Sequence, residues 1–130
     1  MDLAALLTAY ASSVVTVSTP ATPVVVAAAR AREVTAAVGA ALANVAAHAG
    51  ADARAWVLLE HDAHELVVSI RDDGSGIAPD RLADARAEGR IGVASSIEGR
   101  VRDLGGTMTM QSAPGAGTEI ELRVPVGETT

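Results

Sequence analysis

The pattern of apolar positions in the first half of the chain predicts a short helix, two short strands and a long helix. Apolar side chains at helical spacing lie over residues 3–10, and apolar runs at 14–18 and 24–26 have the length of strands. The long helix covers about 27–49 and stops at Gly50, because glycine commonly ends helices. The apolar stripe of the long helix consists of Val34, Val38, Leu42 and Val45.

The second half of the chain predicts two hairpins separated by two helices. The expected strands are 55–60 with 65–71 and 107–112 with 118–124, and the expected helices are about 79–87 and 93–104. Within the last strand Ile120, Leu122 and Val124 alternate with charged side chains, which predicts one buried and one polar face. The element order predicts an α/β (α+β) two-layer sandwich, in which a mixed, mostly antiparallel sheet carries three helices on one face.

Composition narrows the class of protein. The chain has 130 residues, of which 49% are hydrophobic and 20% charged, so we expect one folded domain and no intrinsic disorder. Trp56 and Tyr10 are the only aromatic residues, which requires an aliphatic core. Cysteine and lysine are absent, which excludes thiolate chemistry and lysine-dependent phosphate loops. A net charge of −6 argues against nucleic acid as a partner.

A glycine-rich turn follows the fourth predicted strand at Asp72-Asp73-Gly74-Ser75-Gly76. Its glycines let the backbone bend sharply and admit a flat ligand close to the main chain. A carboxylate at the end of the strand can accept the exocyclic N–H of an adenine. A tight loop without a ligand is the alternative interpretation, whereas a calcium loop is a poor fit because its required glycine and glutamate positions are missing.

Three further motifs carry candidate chemistry. Asn44 and His48 lie one turn apart on the long helix, where an amide oxygen suits Mg²⁺ and an imidazole can donate to a phosphate, unless both simply form a solvated face. Residues 89–93 precede a helix and could bind an anion, or form a plain surface loop. Residues 104–118 contain helix-stop and hairpin glycines, and Thr118 could turn its hydroxyl toward a phosphate.

Together and in this order, the four motifs resemble the GHKL (Bergerat-fold) ATP-binding catalytic domain of bacterial two-component sensor histidine kinases. The resemblance covers about Val14 to Pro125. The matching stretches are 41–49 for the N box, 72–77 and 89–93 for the two glycine boxes, and 100–106 with 114–118 for the C-terminal pattern. The short segment between the glycine boxes, 78–88, resembles the short ATP lid of the subfamily paired with helix-turn-helix response regulators.

The resemblance implies ATP and Mg²⁺ as ligands and assigns roles to matching positions. Asp72 would bind the adenine amino group, and Gly74 and Gly76 would shape the base pocket. Asn44 would hold the Mg²⁺ that bridges the phosphates. The phosphate and lid side would be lined by His48, Gly92, Val93 and Thr118, and the implied ATP-binding set is completed by Ala49, Ile77 and Arg90.

The chain departs from the family pattern at three points. The glutamate that often precedes the N-box asparagine by one turn is replaced by Ala40, so no catalytic residue is assigned. Glu33 cannot substitute, since eleven residues of helix place it about 16 Å from Asn44 along the axis. Ala47 stands where a basic residue is often found, and the spacing from Gly92 to Arg100 is one residue longer than the commonest pattern.

The expected function is therefore that of a catalytic domain, spanning residues 1–130, which binds Mg·ATP and donates the γ-phosphate to a histidine. That histidine would lie on the kinase's own dimerisation domain, for which 130 residues leave no room, and a response regulator would be an indirect partner. The chain alone is expected to be a monomer that does not phosphorylate itself.

Two other functions stay open on the sequence. One is a stand-alone GHKL serine kinase of the anti-sigma type, and the other is a non-catalytic nucleotide-sensing module. The chain begins without a basic leader and has no apolar run of membrane-spanning length. We therefore expect a cytoplasmic domain that makes no direct membrane contact, even if the whole protein is membrane-anchored.

Overall fold

The computed structural model describes residues 1–48, 53–74, 90–113 and 117–126, and for 47–48, 90–95 and 113 it describes the backbone. The elements in chain order are α1 (Leu3–Thr8), β1 (Val15–Ser18), α2 (Ala28–His48), β2 (Ala55–His61), β3 (Glu65–Asp72), α3 (Arg90–Asp103), β4 (Thr107–Ala113) and β5 (Gly117–Pro125).

The strands form one five-stranded sheet in the order β1-β2-β3-β5-β4. β1 pairs with β2 in parallel, and the three other pairings are antiparallel. The parallel pair needs a crossover connection, which α2 provides. The prediction of a mixed, mostly antiparallel sheet with helices on one face is confirmed.

Helix α2 supplies much of the core through one stripe of small and β-branched residues. Its fully buried residues are Ala31, Val34, Ala37, Val38 and Ala41. They pack against the alternate residues of β2, β3 and β5 that face the helices, among them Leu59, Leu66 and Leu122. The buried hydrophobic residues are all Ala, Val, Leu or Ile, as the scarcity of aromatics required. Neither α2 nor any other helix in the described part of the chain has the length and apolarity needed to cross a membrane.

The opposite face of the sheet is open and largely polar. Along β5 the open face carries Glu119, Glu121 and Arg123, and Arg123 pairs with Glu121 at 2.8 Å and with Glu65 of β3 at 2.6 Å. These carboxylates, Glu121 foremost, raise the pKa of Arg123. Trp56 lies on this face as well and is 39% exposed, so the single tryptophan takes no part in the core.

Helix α3 packs against α2 and is joined to it by polar contacts. Arg30 of α2 donates to the carbonyl oxygen of Leu104 at 2.9 Å, at the end of α3. Arg100 pairs with Glu33 at 3.0 Å between half-exposed side chains. Glu33 therefore serves the helix–helix contact, in line with its predicted distance from the N box.

The turn between β2 and β3 is an exposed polar link, as the sequence predicts. Asp62 accepts hydrogen bonds from the backbone N–H groups of His64 at 2.7 Å and Glu65 at 2.9 Å, and these bonds lower the pKa of its carboxyl. His61 is the last residue of β2 rather than part of the link, and both His61 and His64 are exposed, so their interpretation as solvated side chains is confirmed.

One predicted strand and one predicted helix start are wrong. Residues 24–26 form no strand of the sheet but a single bridge between Val25 and Asp2. The segment pairs with the start of the chain: the carbonyl oxygen of Val24 accepts from the N–H of Leu3, and the N–H of Val24 donates to the Asp2 carboxylate. The predicted alternation still holds, because Val24 and Val26 are buried while Val25 is 65% exposed.

Helix α3 begins at Arg90, three residues before its predicted start. The predicted helix 79–87 lies outside the described residues.

Two helical glycines, Gly39 of α2 and Gly99 of α3, should respond differently to the addition of a methyl group. In α3 a Cβ on Gly99 would meet no atom within 4 Å. In α2 a Cβ on Gly39 would overlap the hydroxyl of Tyr10 and lie 3.2 Å from its Cζ. That hydroxyl donates to the carbonyl oxygen of Thr35 at 3.1 Å.

We expect Gly99→Ala to raise the free energy of unfolding by about 0.5–1 kcal/mol through helix propensity. For Gly39→Ala we expect a change in the free energy of unfolding that is about 1 kcal/mol less favourable than for Gly99→Ala, because the Tyr10–Thr35 hydrogen bond is lost. Urea unfolding of both variants and of the same pair in a Tyr10→Phe background measures the difference. A difference that persists without the hydroxyl would contradict this explanation.

Candidate functional site

The candidate site begins at the end of β3, where Asp72 is buried with only 6% of its surface exposed. Among the described residues it is the one buried charged side chain. Its Oδ1 accepts a hydrogen bond of 2.8 Å from the N–H of Gly74. A carboxylate can accept about four hydrogen bonds, so most of this capacity is unused within the described part of the chain.

The residue after Asp72 joins the glycine-rich turn to the start of β2. The N–H of Arg54 donates to Oδ1 of Asp73 at 2.6 Å, and the N–H of Asp73 donates to the carbonyl oxygen of Arg54 at 3.1 Å. This reciprocal pair extends the β2–β3 ladder by one step beyond Ala55 and Asp72. It therefore holds the turn at the edge where the chain returns from α2.

Asn44 lies near the end of α2, one turn before His48. Its Oδ1 is buried and has no hydrogen-bond partner among the described residues. A buried polar atom without a partner is costly in a folded protein and calls for a physical explanation. An amide oxygen left without a donor is a suitable ligand for a hard cation such as Mg²⁺.

The start of β5 lies against the end of β3. Gly117 is buried, has φ of +76°, and contacts the main chain of Asp72 and Asp73. The hydroxyl of Thr118 lies 3.0 Å from that of Ser112 on β4, and Ser112 also donates to the carbonyl oxygen of Gly117 at 3.3 Å. Thr118 thus stands one residue from Gly117, the residue that contacts the main chain of Asp72.

The sequence predicts that residues 89–93, which resemble the second glycine box, precede a helix. For residues 90–93 this prediction is wrong. The backbone of Arg90, Gly92 and Val93 belongs to the first turn of α3. The N–H groups of a first helical turn have no partner within the helix, so this backbone can still receive an anion.

The remaining predicted positions are described only in part. The backbone of His48 belongs to α2. Ala49, Gly76 and Ile77, together with the segment 78–88 that resembles a short lid, lie outside the described residues. The structure therefore brings together Asp72, Gly74 and Thr118 at one end of the sheet and places Asn44 near the end of α2, which packs against β3.

Comparison with known proteins identifies the family. The profile of the family described as "Histidine kinase-, DNA gyrase B-, and HSP90-like ATPase" matches residues 29–128. The chain belongs to this ATPase family. Over 85 residues, 65% of the chain, it is 35% identical to the sensor histidine kinase NarS of Mycobacterium tuberculosis. The match spans only 19% of that relative's length.

Solved structures share the fold of this ATPase-family domain. The ATP binding domain of PrrB from Mycobacterium tuberculosis superposes with a TM-score of 0.70 at 20% identity, covering 98% of this chain and 96% of that one. The histidine kinase domain of the Erythrobacter litoralis EL346 blue-light activated histidine kinase gives 0.68 at 24% identity, covering 95% and 57% of the two chains. These similarities show the fold of the chain.

Sequence reasoning missed three contacts of this site. The Asp73–Arg54 pair, the packing of Gly117 on Asp72 and the Ser112–Thr118 contact all join residues that are distant in sequence or lie on different strands. The sequence predicts a hairpin role for Gly117, and its close approach to β3 is visible only in the structure.

The unpartnered oxygen of Asn44 generates a stability prediction for the ligand-free domain. We expect Asn44→Leu to raise the free energy of unfolding by about 1–3 kcal/mol, because it removes a buried acceptor that lacks a donor. Urea unfolding without nucleotide or divalent cation is the measurement. Asn44→Asp is the control and should be destabilised, because it places a charge at the same position. A less stable Asn44→Leu variant would show that the oxygen is satisfied in solution.

Proposed function

We propose that this domain binds Mg·ATP with the adenine at Asp72 and supplies the γ-phosphate to a histidine on a dimerisation domain of a sensor histidine kinase. One observation carries the proposal. Asp72 is a buried carboxylate with unused accepting capacity, at the strand end where the glycine-rich turn begins and within the residues that match the ATPase family.

The chemistry at Asp72 suits an adenine amino group. The group presents N–H donors, and a buried charged acceptor discriminates strongly against a ligand that lacks them. Gly74 fixes one carboxylate oxygen and is itself buried, so the carboxylate orientation is set before a ligand arrives. A preset acceptor loses little conformational freedom on binding, which favours affinity.

Asn44 is the candidate Mg²⁺ ligand in this proposal. Its buried Oδ1 has no partner in the described part of the chain, as expected of an atom reserved for a ligand. Mg²⁺ usually combines one or two protein oxygens with phosphate oxygens and water, so a single amide is compatible with such a site. When bound, the cation neutralises charge on the phosphates during transfer.

The proposed reaction moves the γ-phosphoryl group to an imidazole nitrogen of the acceptor histidine. A nitrogen–phosphorus bond forms, the bond between Pγ and the β–γ bridging oxygen breaks, and ADP leaves. The relative NarS is a sensor histidine kinase, which supports this acceptor over a serine of a partner protein. The chain's own contribution is to bind and orient ATP, since positioning dominates phosphoryl transfer.

Ala40 favours transfer over hydrolysis. Its methyl group packs against the core one turn before Asn44, where it offers no carboxylate to orient or deprotonate water. Attack by an imidazole nitrogen needs no activated water. In the whole protein we place the domain in the cytoplasm, with a response regulator receiving the phosphoryl group afterwards.

The nucleotide proposal is tested by comparing Asp72→Asn with Asp73→Asn. At position 72 the amide oxygen can keep the Gly74 hydrogen bond, which leaves an NH₂ donor facing the adenine amino group. We expect ATP and adenosine both to bind more weakly by about 1–3 kcal/mol. Asp73→Asn removes the same charge at the neighbouring residue and keeps an acceptor for the N–H of Arg54. This variant should therefore bind ATP and adenosine nearly as the parent does. Calorimetry on folded proteins decides; equal affinities for the parent and Asp72→Asn would remove Asp72 from the site.

The metal assignment generates a separate prediction. Asn44→Ala should weaken ATP binding in the presence of Mg²⁺ by about tenfold, or about 1.4 kcal/mol. Binding of adenosine, which carries no phosphate, should stay unchanged. Titrations of both ligands, each with Mg²⁺ and with a chelator, measure the effect. Equal loss for the two ligands would mean that Asn44 supports the fold rather than the metal.

A further inference from the structure

Gly117 makes an approach to the candidate site that no other residue type allows. The β3–β5 register extends as far as Arg71 opposite Glu119, and Gly117 lies two residues before Glu119, at the start of β5. A Cβ on Gly117 would overlap the carbonyl oxygen of Asp72 and lie 2.8 Å from its carbonyl carbon and 3.2 Å from the Cα of Asp73. The obstructing atoms are backbone, which cannot move aside as the end of a side chain can.

The other contacts of Gly117 hold it at this place. It is the first residue of β5, pairs with Ala113 of β4, and its carbonyl oxygen accepts from Ser112 at 3.3 Å. The main chain of Asp72 is held from the other side by its pairing with Ala55 of β2. Asp72 therefore lies between β2 and the start of β5, and its carbonyl oxygen faces Gly117.

We propose that Gly117 is a positioning residue for the Asp72 carboxylate. Because Gly117 lacks a side chain, the main chain of Asp72 can stay where its Oδ1 accepts the Gly74 hydrogen bond and its second oxygen is available to a ligand. A methyl group at 117 displaces the Asp72 backbone and with it the carboxylate. The consequence for nucleotide affinity rests on the proposed function; the consequence for the Asp72–Gly74 hydrogen bond does not.

The chain offers a matched control in Gly105. It has φ of +79°, close to the +76° of Gly117, so alanine meets the same backbone strain at both positions. A Cβ on Gly105 would only touch Cγ of Pro125, at 3.8 Å. Comparing Gly117→Ala with Gly105→Ala therefore isolates the overlap with Asp72 from the cost of a positive φ. Gly117→Asn is the second variant, since asparagine adopts positive φ at lower cost than alanine and keeps the overlap.

Two readouts on the whole 130-residue chain test the proposal. The first is ligand-free amide exchange of Gly74, measured relative to Val68 in the middle of β3 so that global unfolding cancels. We expect Gly117→Ala and Gly117→Asn to speed Gly74 exchange by about tenfold or more relative to Val68, as the hydrogen bond to Asp72 lengthens. The second is calorimetric affinity for ATP, expected to fall by a similar factor. Gly105→Ala should change neither readout.

The outcomes separate this proposal from the proposed function. Parent-like Gly74 exchange in Gly117→Ala overturns the positioning role, whatever the affinity, while ATP binding by the parent would leave the nucleotide function standing. Faster Gly74 exchange in a chain whose parent binds no ATP supports the positioning role and removes the nucleotide function. If both Gly117 variants fail to fold while Gly105→Ala folds, Gly117 maintains the fold as a whole and the proposal is wrong.

Discussion

Burying the Asp72 carboxylate is costly unless hydrogen bonds offset the loss of water, and the surrounding structure is arranged around that constraint. The N–H of Gly74 supplies one bond to the carboxylate. The Asp73–Arg54 pair fixes the turn that carries this N–H, and Gly117 lets β5 come close from the other side. Each of these contacts involves a backbone group at the end of a strand, so the geometry of the carboxylate depends on how β2, β3 and β5 meet.

The packing of the core fixes the positions of these strand ends. Helix α2 presents alanines and valines without exposed surface to one face of the sheet, and these short side chains allow the helix to lie close to the strands. The same helix carries Asn44 toward its end. Packing of α2 on β3 therefore fixes both candidate groups at once, one on each layer. An aliphatic interior is sufficient for this purpose because small residues at the contact fill the space without aromatic rings.

The candidate ligand groups are also features that lower the stability of the ligand-free fold. Asn44 keeps a buried oxygen without a partner in the described part of the chain, and Asp72 keeps a buried charge. Gly117 and Gly105 both hold positive φ, but only at Gly117 does the backbone of another strand occupy the place of a side chain. Features that weaken the ligand-free fold therefore coincide with groups that suit a nucleotide and a cation. Such coincidence is expected where a site is built to bind rather than to stabilise.

The amino-acid sequence alone predicts which faces are buried and which residues are candidates for ligand binding. Period-two alternation in β3 and β5 and the apolar stripe of α2 report burial directly, because a side chain's face follows from its position in a regular element. Asp72, Asn44 and Thr118 could be named as candidates because each lies in a short local motif that resembles the family pattern. The sequence also predicts the alternation in 24–26, but the pairing of this segment with Met1 and Asp2 rather than with the sheet is visible only in the folded structure. The Arg54–Asp73 bonds, the unpartnered Asn44 oxygen and the contact of Gly117 with Asp72 likewise depend on tertiary structure. Each is set by how closely segments distant in sequence approach one another, and local periodicity carries no information about that distance.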